Sequence, residues 1–407
     1  MRFVHVEDFI HPDAGYQLNL LSKLQVEQGH EVIIVTSELD NVPNFLTSFF
    51  GKENIEKRDA AFEERTGVKI YRFPTYRWYS SRAIFKIGLH KFLKQLKPDV
   101  LFIHGEDTLT GMKLLWRYKS MKMPYVLDCH MLEMASENKF KDAFRRFFRK
   151  FVTPIILKNN IPLIRVVDSD FVEKHFAIPL EKTELLSFGT DVNFFAPSEN
   201  ARKVFRAKYE IGDDDFVVLY AGKLDEYKGG LFFAKTLKDK IVLDNGRKIV
   251  FVVVGKTPTT PYGEEVSNLL STSENRILRF PTQHYPDLAP FYQSADIAVF
   301  PKQCSMSYFE VQSCGLPVVL EENEINVERA SEKKGLVFEA GDSASFKEMI
   351  THFGNMSKLD FDIYRENARQ NIVKNYNYTL IAQKFSNVMI QAYRKFHNIE
   401  EKATLTS

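Results

Sequence analysis

Two stretches hold the residues whose types and spacing suit chemistry. The first is VVLYAGKLDEYKGG, residues 217–230. A buried-strand pattern runs into Gly222, Lys223 and Lys228 follow within one loop, and Gly229 and Gly230 open the next helical segment. Such a loop can aim two ammonium groups and a helix N-terminus at a diphosphate. The same spacing also occurs as two solvated lysines on a surface turn. The second stretch is SADIAVFPKQCSMSYFEVQSCGLPVVLEEN, residues 294–323. Here a strand ends at Pro301, an irregular loop holds Cys304 to Ser307, and Glu310 falls in the first turns of a helix that stops at Gly315. A carboxylate there suits hydrogen bonds to ribose hydroxyls, or it simply complements the helix dipole. Cys304 and Cys314 read as a loop thiol and a small packing residue.

The elements that must carry these loops are legible in the apolar runs. RFVHV, EVIIVTSE, VKIYRFP, DVLFIHG, YVLDCH and LIRVVDS read as strands, most of them the continuous kind found in parallel sheets buried on both faces. Helical patterns separate them, as in QLNLLSKLQVEQ before the Gly29-His30 stop. The alternation restarts after the turn-rich SFGTDVNFFAPSEN with FVVLYAG, KIVFVVVG, RILRFP, IAVFP and PVVLE. Strand and helix alternating twice predict two doubly wound α/β halves joined near residues 190–200. Ligands in such sheets bind outside the carboxyl ends of the strands. A long amphipathic helix, YTLIAQKFSNVMIQAYRKFH, closes the pattern.

Composition bounds the rest. At 407 residues the chain exceeds what one core normally serves. No apolar run approaches the ~18 residues of a spanning helix. MRFVHVEDFIHPD lacks the pattern of a signal peptide, and three cysteines show no metal-ligand spacing, so a cytoplasmic protein is expected. Net charge is +2, which argues against nucleic acid as a partner. Residues 77–158 nevertheless carry 17 Lys or Arg against 7 Asp or Glu, so the first half suits an anionic partner. Within it, Phe140–Phe151 interleaves Lys141, Arg145, Arg146, Arg149 and Lys150 with five phenylalanines. This pattern fits a helix lying on the inner face of an anionic membrane, and equally one packing its Phe side on the domain.

Five segments, in order, resemble the family 4 glycosyltransferases. AGKLDEYKGG looks like their phosphate-gripping loop and FEVQSCGLPVV like their LEAMACGLPVV segment. SFGTDVNFFAP resembles their hinge motif, ADIAVFP their ADVFVFPS, and DAGYQLNLLSKLQVEQGHEVIIVT their glycine loop, first helix and GHEV ending. The resemblance implies the GT-B fold, two Rossmann-like domains facing across a cleft. Residues 1–192 would be the acceptor domain, with a helix at about 380–398 packing back on it, and 193–379 the nucleotide-sugar domain. It implies that Gly222, Lys223 and Lys228 hold a donor pyrophosphate and that Glu310 binds the ribose. His130 would stand near the reaction centre, and Gly15 would approach the donor phosphates. The donor would be a UDP-, GDP- or similar sugar, and the acceptor a glycan or lipid-linked molecule, in cell-surface polysaccharide, lipopolysaccharide or glycolipid synthesis. Retention of anomeric configuration is the family's usual outcome.

Three departures stand out. Lys223 replaces an arginine, keeping the charge but losing the bidentate fork. The N-terminal loop has one glycine where many members have two. The family's first glutamate, eight positions before Glu310, is Lys302 here, so a sugar contact would fall to Ser305, Ser307 or loop backbone. Lys223 and Lys228 can replace a divalent ion at the pyrophosphate, so neither metal nor cofactor is expected. A GT-B sugar-nucleotide epimerase and a non-catalytic nucleotide-sugar-binding homologue are the rival readings.

Overall fold

The structure, a computed structural model, describes residues 1–399 apart from 48–49, 80–81, 131–139 and 303–305. The chain forms two units, Met1–Phe188 with the segment from Thr379, and Gly189–Tyr378.

In unit 1, strands β1 (Arg2–Val6), β2 (Glu31–Ser37) and β3 (Lys69–Phe73) are followed by a hairpin of β4 (Thr75–Tyr79) and β5 (Arg82–Phe85). Then come β6 (Val100–His104), β7 (Tyr125–Cys129), β8 (Leu163–Arg165) and β9 (Thr183–Leu185). Seven of these make a parallel sheet in the order β3-β2-β1-β6-β7-β8-β9. The central strands are buried along their length because helices cover both faces, which is why they read as unbroken apolar runs. The chain moves outward from β1 through β2 and β3, then returns to β6 on the other side of β1. The carboxyl ends of β1 and β6 therefore flank the crevice where such sheets bind ligands.

The helix Tyr378–Phe396 returns to this unit. Phe385 stacks on Phe102 of β6, and Ser386 Oγ donates to Gln28 Oε1 at 2.6 Å. Phe396 meets Tyr118 edge to face.

Unit 2 repeats the plan with β10 (Phe216–Ala221), β11 (Ile249–Val254), β12 (Arg276–Phe280), β13 (Ile297–Phe300), β14 (Val318–Glu321) and β15 (Gly335–Phe338). Their order is β12-β11-β10-β13-β14-β15, all parallel. The switch point lies between β10 and β13, whose carboxyl ends run into the lysine loop and the Pro301 loop.

The basic stretch is helical over Lys141–Phe151. It ends at Val152 (φ −109°), where a second helix, Thr153–Lys158, begins with Pro154 in its first turn. Arg145, counted above among surface cations, is buried. Its guanidinium lies 5.5 Å over the Phe171 ring and 3.7 Å from Asp142, because this face of the helix packs on the unit.

Candidate active-site residues

In unit 2 the lysine loop is built around two close backbone approaches. A Cβ on Gly230 would stand 2.6 Å from the Leu224 carbonyl, and one on Gly255 would stand 1.8 Å from the Gly222 carbonyl oxygen. Only glycine lets the loop fold this tightly over the strand ends. Tyr220 donates its hydroxyl to the Lys223 carbonyl at 2.6 Å, pinning the loop from beneath. Lys223 is exposed and Lys228 half-buried.

One expectation changes here. Four amides at the end of the loop are taken internally. Lys228 N–H goes to Asp225 Oδ1, Gly229 N–H to Glu226, Gly230 N–H to Asp225, and Leu231 N–H to the Tyr262 hydroxyl. The helix Gly230–Thr236 thus presents none of these N–H groups to an anion, and the ammonium groups carry the loop's positive charge.

Glu310 lies in the helix Ser307–Ser313 and is 5% exposed. The Tyr292 hydroxyl donates to its Oε2 at 2.8 Å. Burial lifts its carboxyl to about 7, against the downward pull of that bond. Phe195, from the hinge-like motif, packs on both Tyr292 and Tyr285, so hinge and carboxyl share one aromatic support. Ser307 begins the same helix and is buried. Ser305 and Cys304 lie outside the described residues. Lys302 follows β13, and its Cβ would be 3.2 Å from a Cβ on Gly229, which puts this lysine's backbone against the Lys223–Lys228 loop.

In unit 1, Gly15 sits in the loop between β1 and the helix Gln17–Glu27, half-buried. His130 follows β7, with its side chain 38% exposed and Nε2 3.0 Å from Asp128 Oδ2. Desolvation pulls the His130 imidazole down, but the Asp128 charge and hydrogen bond outweigh it and raise it above its usual value. Asp128 also meets His104 Nδ1 at 2.6 Å and accepts from Gly105 N–H at 2.8 Å. Burial pushes its carboxyl up, yet His104 and His130 more than offset this and hold it below the ordinary range.

Sequence reading took His130 from this region and missed its company. Glu7 and Asp8 follow β1, Glu106 and Asp107 follow β6, and Arg82 opens β5. Burial raises all four carboxyls, Asp8 to about 7 and Glu106 well above its usual value. Arg82 is desolvated, but the charges of Asp107, Glu7, Asp8 and Glu106 keep its guanidinium protonated. A signal was present: RFVHVED, VLFIHGED and VLDCH each place histidine or acid at the end of an apolar strand. Ends of buried strands are where polar side chains reach a ligand crevice.

Two Rossmann-like units, each with its polar residues gathered at a switch point, define the chain as a GT-B type protein. The glycosyltransferase family 4 pattern matches residues 15–158, and that of the glycosyl transferases group 1 matches residues 215–354. Together they cover well over half of the sequence, and the chain belongs to this glycosyltransferase family. A D-inositol 3-phosphate glycosyltransferase of Paenarthrobacter aurescens is 27% identical over 160 residues, 37% of this chain and 38% of that protein. The match thus spans under half the length of that curated relative. Among solved structures, a glycosyltransferase of Rickettsia africae superposes with a TM-score of 0.72 at 14% identity, covering 98% of this chain and 99% of the other. Anabaena HepE in complex with UDP and glucose gives 0.68 at 15% identity, covering 96% and 100%. At these identities the likeness is one of fold.

Among the described residues no helix is long and apolar enough to cross a membrane.

Proposed function

We propose that the protein transfers a sugar from a nucleoside-diphosphate donor to a glycan or lipid-linked acceptor, without a metal ion and with retention of configuration. The observation that carries this is the unit 2 switch point, where a lysine loop and a buried carboxyl end adjacent strands. Lys223 and Lys228 neutralise the diphosphate as it leaves, and Glu310 reads the ribose. Fixed cations aimed at developing leaving-group charge are worth far more in a closed site than in water. They supply what a divalent ion supplies in other transferases. Because the amides of Lys228 to Leu231 are occupied, the side-chain charge matters more here than in a loop that cradles phosphate with its backbone.

In unit 1, Glu7, Asp8, Asp107, Arg82 and His130 bind the acceptor. Carboxyls in mixed protonation states offer both donors and acceptors, which suits sugar hydroxyls. A lipid-linked acceptor is favoured by a cavity of about 290 Å³ whose lining includes Lys86, Ile87, His90, Lys113, Trp116 and Arg117. Trp116 meets Phe147 edge to face at 6.1 Å, joining this basic and apolar cavity to the helix Lys141–Phe151. Phe140, Phe147 and Phe151 are exposed on that helix. This surface suits an anionic bilayer at the cytoplasmic face, and with it synthesis of a cell-surface polysaccharide or glycolipid.

Lys302 favours a second reading. Where the family pattern has a sugar-binding glutamate, this chain has a cation beside the phosphate loop, as a nucleotide-sugar-binding protein without turnover would tolerate. A thermal-shift screen of nucleoside-diphosphate sugars, followed by turnover assays of each hit with and without excess chelator, separates the readings. Transfer that survives chelation is expected. Binding without transfer or hydrolysis supports the second reading, and activity lost to chelator and restored by magnesium overturns the metal-free mechanism.

A further inference from the structure

Behind His130 runs a continuous line of buried polar groups that crosses the sheet from β7 to β1 and ends on the C-terminal helix. Gln25 Nε2 donates to Met389 Sδ at 3.3 Å, and Gln25 Oε1 meets His5 Nε2 at 2.8 Å. His5 Nδ1 meets His104 Nε2 at 3.0 Å, and His104 Nδ1 meets Asp128 Oδ2 at 2.6 Å. Asp128 Oδ2 then meets His130 Nε2 at 3.0 Å. Gln25 and His5 are completely buried, Asp128 is 1% exposed and His104 7%.

The direction of each bond follows from what its ends can do. A thioether cannot donate, so the Gln25 amide turns its NH₂ to Met389 and its oxygen to His5. His5 must therefore carry its proton on Nε2. Burial and the neighbouring His104 lower the His5 imidazole to about 3, so it is neutral and its Nδ1 is an acceptor. His104 then donates from Nε2 to His5 and from Nδ1 to the acceptor-only carboxylate of Asp128. Both of its nitrogens bear protons.

We propose that Met389, Gln25, His5, His104 and Asp128 act as a directional positioning chain that makes His104 a buried imidazolium and locks His130 with Nε2–H on Asp128. His130 thereby presents Nδ1 outward, as the one ring nitrogen able to meet a substrate. His104⁺ also tempers the Asp128 charge that His130 feels, and so sets how readily His130 takes a second proton. The other charged groups facing His130 are Glu7 and Arg82, with Asp107 beside it, while Glu106 lies near Asp128. None of them touches His5 or Gln25 by any hydrogen bond described here. The far end of the chain can therefore be altered without changing the field at His130 directly.

The same His104, Asp128 and His130 atoms lie within 4.8 Å of one another and have the chemistry of metal ligands. A tetrahedral ion with bonds of about 2.0 Å would hold its ligand atoms about 3.3 Å apart. The 2.6 Å separation of His104 and Asp128 is instead that of a charge-assisted hydrogen bond.

The inference rests on the reading of His130 as an active-site group, and the test keeps the two apart. Long-range ¹H–¹⁵N spectra of the intact protein report each of its ten histidines, assigned by single substitutions. In the unaltered protein at pH 7.5, His104 is expected doubly protonated and His5 as the Nε2–H tautomer, a result that needs no variant to fold. Gln25→Met removes the acceptor at similar volume. His5 then moves its proton to Nδ1 and donates to His104, His104 becomes neutral, and the unshielded Asp128 raises the His130 pKa by about one unit. His104→Gln, which keeps a donor to Asp128 without the charge, gives the same rise. A neutral His104 in the unaltered protein overturns the proposal, as does an unmoved His130 titration in Gln25→Met. Displacement of all three resonances by stoichiometric zinc would replace it with a metal site. If the His130 resonance moves in Gln25→Met while the pH–rate profile stays fixed, the chain stands and the catalytic reading of His130 falls.

Discussion

Glu310 is a carboxyl that titrates near neutrality inside unit 2 because burial disfavours its charge more than Tyr292 favours it. The ribose contact proposed for it would depend on ionisation, since only the carboxylate accepts two hydroxyl protons. Nucleoside-diphosphate affinity should therefore fall as pH is lowered through about 7 in the unaltered protein. In Glu310→Gln it should be weaker by roughly ten-fold or more, as loss of a hydrogen bond to a charged group costs about 1.5–3 kcal/mol, and flat with pH. Calorimetry from pH 6 to 8 decides this, and an equally pH-dependent Glu310→Gln would assign the effect to another group. Lys223 and Lys228 give a contrasting signature. Either one changed to Ala should weaken nucleoside diphosphate by a similar factor at every pH in that range, while nucleoside alone binds as before. Equal losses for nucleoside and diphosphate would mean that the loop had moved rather than lost a charge.

The helix Lys141–Phe151 divides its residues cleanly between a packed face and an exposed one. Phe148 stacks on Phe176 at 4.1 Å and Arg145 covers Phe171, so this face holds the helix to the unit. Arg146, Arg149 and Lys150 lie on the exposed part with Phe147 and Phe151. Reversing those three cations to Glu should release the protein from anionic vesicles with the thermal transition unchanged, whereas Arg145→Glu should lower that transition. Equal sedimentation of the triple variant and the unaltered protein would leave the aromatic face as packing alone. That division was not legible in the sequence, because five phenylalanines among five cations mark no unique face. The central strands were legible because burial on both faces leaves an unbroken apolar run. β9 and the β4–β5 hairpin were not, since TEL is short and largely exposed and TYRWY mixes polar with apolar residues. The site divided the same way. Lys223, Lys228 and Glu310 sit in local motifs, while Asp128, His104, His5 and Gln25 come together from separate strands and a helix through the sheet order alone.

At the scale of the molecule, unit 2 is an insertion within unit 1. Its first and last residues are tied together: Thr190 N–H donates to the Tyr376 carbonyl at 3.0 Å, and Tyr378 N–H to the Thr190 carbonyl at 2.9 Å. Cutting the chain after Tyr378 should leave a folded unit 2 that still binds nucleoside diphosphate, while unit 1 loses the cover of Phe385, Ser386 and Met389. Hydrogen exchange should then show the β1 and β6 amides opening and those of β10 and β11 unchanged. Uniform protection across both units would refute the division.

The returning helix also bears on the order in which the halves are completed during synthesis. Domains generally close as they leave the ribosome, the earlier one first. Here the earlier unit must wait, because the segment that caps His5 through Gln25 and Met389 is translated only after the whole of unit 2. Unit 2, with the donor site proposed for it, would thus be finished while unit 1 still lacks a wall. If unit 2 holds the donor as proposed, a stop codon or protease cut just beyond Tyr378 would spare that site and disable its neighbour, leaving a fragment that sequesters nucleotide sugar without using it.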